Sequence, residues 1–223
     1  MCWNQHVSLN TFAFSAFMLG LLAYNNSYTP YKIKGFNPFY YFFILSFISM
    51  QFIEFFLWRN LTNVRLNHLF SSLGQILVTI QPVAALTTLN NVTLKSTLLT
   101  AYAVFVVFLF SKYGKHQPNT KVYNGHLQWN WAPLNWVEYV IWLAFLSFAL
   151  VYNGYIEAVL IALVLLVISY YSYSVHRTAG SLWCWSINLS MLAYSVYLLV
   201  ILPFREHGVF CWGVAHLAKQ NKK

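Results

Sequence analysis

Glu54 sits in M-Q-F-I-E-F-F-L-W, residues 50–58, a run apolar enough to belong inside a bilayer. A charged side chain at the bilayer centre costs about 2.5–3.5 kcal/mol on insertion scales, so such a residue faces a bundle interior or a water-filled cavity and pairs there. The chemistry open to it is that of a titratable or ion-coordinating group. Phe47, Gln51, Glu54 and Trp58 recur at spacings of four, three and four, one stripe of a helix with a polar middle. His68, Ser72, Gln75 and Thr79 repeat that spacing in the next apolar run, with Pro82 beyond them. Both stripes are expected to face the interior, because lipid offers polar groups no partner.

Glu138, in N-W-V-E, and the aligned Trp185 and Asn188 reach the same membrane level from later runs. Glu54, Gln51, Gln75, His68, Glu138, Asn188 and Trp185 are therefore the candidate binding or translocation residues. Glu138 also has a purely structural reading, as an acid at the positive end of a helix. His6, His126 and His176, with Cys2 and Cys184, are of the types that hold zinc. No H-x-x-x-H or H-E-x-x-H pair is present, so such ligands would have to converge from separate elements. Cys2 and Cys184 could instead form a disulfide if their side of the membrane is oxidising.

The elements that carry these residues follow from composition. Hydrophobic residues make up 59% and charged residues 8%, against about 45–50% and about 25% in soluble domains, so this is a bilayer chain. A net charge of +9 could suggest nucleic acid, but the basic residues sit in short gaps between apolar runs, where they act as topology signals. Nucleic acid is excluded as a partner, and the lipid bilayer is the expected one.

Spanning helices need about 20 largely apolar residues, and the chain supplies seven such runs: 7–24, 39–58, 66–89, 94–110, 135–152, 155–174 and 181–202. The expected fold is all-α, a single seven-helix transmembrane bundle over 1–223, with a polar capping loop at 111–134 and a basic interfacial tail at 203–223. A six-span chain lacking the fourth run is the alternative, and assembly with further copies is open.

In the seven-span reading, the N-terminus shares a face with Arg59, Arg65, Lys112, Lys115, Lys121 and Arg177, and we name this the N-face. The C-face carries Lys32, Lys34, Lys95, Arg205, Lys219, Lys222 and Lys223. That balance barely sets orientation, and the basic tail favours a cytosolic C-terminus. Seven of the nine tryptophans fall on the N-face side, which suits a structured rim or lid. Retinal is not expected, since 181–202 has no lysine for a Schiff base.

The segments M-C-W-N, Q-F-I-E-F-F-L-W-R-N, I-Q-P-V-A, G-H-L-Q-W-N-W and G-S-L-W-C-W-S-I-N lie across most of the chain. In these it resembles an uncharacterised family of multi-pass membrane proteins of giant DNA viruses. The resemblance implies a viral or protist source and a host-membrane location, and it carries no activity. The expected function is passage of protons, ions or a small polar solute. A metal-dependent lipid hydrolase in the membrane is the alternative, and a receptor-like or structural bundle is the third.

Overall fold

The computed structural model describes residues 4–30, 32–33, 36–173, 179–201 and 203–204. These form seven α-helices: α1 (Gln5–Tyr28), α2 (Pro38–Arg59), α3 (Val64–Thr87), α4 (Val92–Tyr113), α5 (Trp136–Tyr152), α6 (Ile156–Tyr173) and α7 (Ala179–Val196). α7 runs on into a π-helical turn, Tyr197–Ile201. By length and composition α1 to α4 can each cross a bilayer, whereas α5 and α6 are apolar but shorter.

In a chain with so few charges, asparagine marks where helices begin. Asn4, Asn37, Asn63, Asn91 and Asn135 cap α1 to α5, each accepting a first-turn backbone N–H with its side-chain oxygen. At α5 the cap is reciprocal, since Glu138 accepts the Asn135 backbone N–H at 2.9 Å. Asn135→Ala is expected to cost about 1 kcal/mol, read as a lower unfolding midpoint in detergent micelles. α1 continues past the expected 7–24 run through residues 25–28 and stops at Thr29 before Pro30.

α2 and α3 pack on each other, with α1 against α2 and α7, and α3 also holding α4 and α5. One core cluster joins Phe47, Ala85, Leu86, Tyr102, Trp142, Leu146 and Trp183. A second gathers Met50 and Leu57 of α2, Cys184 of α7, and Leu127 and Trp131 from the segment between α4 and α5.

Pro82 lies inside α3. It has no N–H to give the Val78 carbonyl four residues earlier, which leaves that acceptor without its helix partner. Trp142 of α5 donates Nε1–H to that carbonyl at 3.2 Å, and Tyr102 of α4 donates to the adjacent Thr79 carbonyl at 2.7 Å. The proline thus frees the Val78 carbonyl for α5, and Tyr102 ties α4 to the next carbonyl of α3 without needing the proline.

The 111–134 segment holds a β-hairpin, so the fold is helical with one small sheet rather than all-α. β1 (Asn119–Tyr123) and β2 (His126–Asn130) pair antiparallel, from Asn119 opposite Asn130 to Tyr123 opposite His126. The turn is Asn124-Gly125, with φ of 46° and 74°. Two successive positive φ values match the twist of a two-residue hairpin, which is why Asn-Gly serves there.

Candidate functional site

On α2 the buried face is Ser46, Phe47, Met50, Gln51, Glu54 and Leu57, and both Gln51 and Glu54 are fully buried. Glu54 lies within electrostatic reach of the Cys184 thiol on α7. Met50 and Leu57, one turn to either side of it, pack with Cys184 and, from the hairpin segment, with Leu127 and Trp131. The carboxylate is therefore walled by α2, α7 and the hairpin. Around the same cluster, Trp58 Nε1 and Trp129 Nε1 are buried and have no hydrogen-bond partner among the described residues. On α3 the same holds for Gln75 Oε1.

α3 turns a different stripe inward from the one expected. Asn67, Ser71, Gly74 and Gln81 are buried, whereas His68 is exposed. Ser72 and Thr79 each donate to a carbonyl of their own helix, His68 O at 2.8 Å and Gln75 O at 2.9 Å, so neither needs an interhelical partner. His68 holds the approach to the hairpin instead. Its Nδ1 lies 2.9 Å from the Pro118 carbonyl, which can only accept, so that nitrogen carries the proton.

The inward stripe seats the hairpin. Asn67 donates Nδ2–H to the Thr120 carbonyl and accepts the Thr120 N–H, both at 2.9 Å, so its side chain pairs as a neighbouring strand would. Ser71 and Thr120 hydroxyls lie 2.8 Å apart, and Trp131 Nε1 donates to Thr120 Oγ1 at 3.3 Å. Trp131 and Trp129 stack with centroids 4.3 Å apart and planes 2° from parallel. A Cβ at Gly74 would stand 2.6 Å from Trp131 Cζ2, and one at Gly180 would stand 3.0 Å from Trp129 Cζ3. Two indoles are thus wedged between a glycine of α3 and a glycine of α7.

Sequence reasoning missed Asn67, Gly74, Thr120 and the wedge. The signals were present: Asn67, Ser71 and Gly74 are spaced four and three, and Trp129 and Trp131 are spaced two, which puts them on one face of a strand.

Glu138 is engaged elsewhere. Its Oε1 takes Lys112 Nζ at 2.7 Å, and its Oε2 takes Tyr113 Oη at 2.7 Å and the Asn135 N–H. It closes the α5 cap and ties α4 to α5, the structural reading of this acid.

His6 is exposed, its Nε2 3.5 Å from Gln5 Nε2, and His126 opens β2. Cys184 is a free, buried thiol, while Cys2 and His176 lie outside the described residues. Among the described residues, no three His, Cys, Asp or Glu side chains converge as metal ligands would.

Asn188 and Trp185 line a cleft of about 370 Å³ between α1 and α7, facing Asn10, Thr11, Phe14 and Ser15. Asn188 donates Nδ2–H to the Cys184 carbonyl at 3.0 Å, so one wall of the cleft is bonded to the helix turn beside Glu54.

No family model matches the chain, and neither a curated protein nor a solved structure proves similar to it.

Proposed function

We propose that the chain crosses a membrane seven times and passes protons, ions or a small polar solute by way of Glu54. One observation carries the reading: Glu54 and Gln51 are fully buried in the bundle, while Gln75 Oε1, Trp58 Nε1 and Trp129 Nε1 are buried without partners among the described residues. Buried polar groups are hydrogen-bonded as a rule, so two indole donors and an amide acceptor left open are places for water or a polar solute. Trp58 and Trp129 pack against the cluster formed by the neighbours of Glu54, and a carboxylate in that setting can exchange a proton or hold a cation. In this reading the hairpin is the N-face cover, the basic tail lies in the cytosol, and the membrane is a host membrane, as the viral resemblance implies.

The test is flux into proteoliposomes that enclose a pH-sensitive dye, with potassium and sodium gradients run in parallel. Flux through Glu54→Gln is expected to fall to that of protein-free vesicles, in protein with unchanged thermal unfolding. Unchanged flux in folded Glu54→Gln, or none in the parent protein, would leave Glu54 as an element of helix packing.

A further inference from the structure

The α1–α7 cleft lies one turn along α7 from Cys184, is lined by neither Cys184 nor Glu54, and has its own chemistry. From α1 it takes Asn10, Thr11, Phe14 and Ser15, two adjacent ridges of one helix face; from α7 it takes Trp185, Asn188 and Leu192, spaced three and four. Its inner end is polar, where Ser15 and Asn188 are each only 4% exposed. Its mouth is set by exposed Asn10 and by Phe14, which is 45% exposed. Ser8 lies one turn from Thr11 on the same stripe; it is fully buried, and its hydroxyl has no partner among the described residues.

Two features identify the occupant. The lining has hydroxyls and amides but no lysine, arginine, histidine or acid. A phosphate headgroup would call for a cation or several charge-assisted donors, so the fit is to an uncharged headgroup that both donates and accepts. Asn188 gives one Nδ2–H to the Cys184 carbonyl, which leaves its oxygen to accept a hydroxyl proton and its second N–H to donate. The second feature is access. α1 is long and apolar enough to span, so a cleft on its flank is entered sideways from lipid, with Phe14 and Leu192 against acyl chain. A volume of about 370 Å³ falls in the range of small-molecule sites, about 300–1,000 Å³.

We propose that this cleft binds a neutral lipid of the diacylglycerol type, its free hydroxyl at Ser15 and Asn188 and its acyl chains leaving past Phe14. The inference rests on the chain lying in a bilayer, and it is independent of flux at Glu54.

The experiment uses the full chain in phosphatidylcholine vesicles containing a diacylglycerol with a diazirine in one acyl chain. After irradiation, label is expected on the peptides holding residues 10–15 and 185–192, displaced by unlabelled diacylglycerol but not by extra phosphatidylcholine. Asn188→Leu is expected to abolish that label, and Asn10→Leu, at the exposed mouth and so harmless to packing, to weaken it several-fold. Label spread evenly over the outer faces of α4 and α6, or displaced equally by phosphatidylcholine, would overturn the site. Alkaline carbonate treatment of the same vesicles separates the two failures. Protein retained without α1–α7 label sinks the cleft alone, whereas extracted protein sinks the bilayer premise as well.

Discussion

Replacing Gly74 with leucine is expected to unseat the 119–130 hairpin while the helices stay paired. A side chain at 74 must enter the volume held by Trp131, whose Cζ2 would lie 2.6 Å from the new Cβ and whose Cη2 would lie closer still. Trp131 has nowhere to retreat. Its other face carries Trp129, and Trp129 lies against Gly180. Overpacking alone costs about 1–3 kcal/mol. Moving Trp131 also pulls on Thr120, whose N–H, carbonyl and hydroxyl are all bonded in a buried setting, and each orphan there adds about 1–3 kcal/mol. A net loss of about 3–5 kcal/mol is expected.

Trypsin should then cut at Lys121, an exposed residue of β1 protected by its strand pairing in the parent protein. The near-ultraviolet circular dichroism of the coupled indoles should also disappear. Gly20→Leu is the control, because nothing lies within 4 Å of a Cβ placed there. If Gly74→Leu keeps both signals, the glycine wedge does not seat the hairpin.

The second large effect concerns Pro82. Trp142→Phe removes the donor to the Val78 carbonyl, an acceptor the proline has already deprived of its helix partner. The ring is smaller as well, so orphan and cavity together are expected to cost about 2–4 kcal/mol. A double-mutant cycle isolates the cause. Pro82→Ala restores an N–H at position 82, the Val78 carbonyl is satisfied within α3, and the penalty of Trp142→Phe should shrink in that background. Urea unfolding in mixed micelles gives all four corners of the cycle, and an unchanged penalty would show that the indole acts by volume alone. Tyr102→Phe should behave differently. Its partner is the Thr79 carbonyl, which Pro82 does not orphan, so its cost should be the same in either background.

How much of this could be read from the sequence depends on which forces act locally. Every apolar run coincides with a helix to within about a turn, because length and hydropathy are properties of the segment itself. Glu54 and Gln51 were legible for the same reason: a polar stripe on an otherwise apolar helix must turn inward. On α3 the same logic picked the stripe of His68 and Ser72, about 100° from the buried one. Asn67 and Ser71 are no more polar than their neighbours, and what selects them is Thr120, a partner far along the chain. The hairpin was legible in principle from Asn-Gly between T-K-V-Y and H-L-Q-W, but its polar composition read as loop. Glu138 was legible as an acid at the start of α5, but its partners Lys112 and Tyr113 were not, because no spacing rule links residues on different helices.

The walls around Glu54 also bear on how the protein is made. Glu54 is synthesised early, while the hairpin that covers it follows two helices later and Cys184 arrives only with α7. In the bilayer reading proposed above, α2 until then carries a carboxylate whose enclosure is half built, an arrangement that lipid disfavours. That reading gives biogenesis a vulnerable interval, from emergence of α2 to docking of α7. A chain stalled within it would display Glu54 to whatever insertion machinery or quality control attends the membrane.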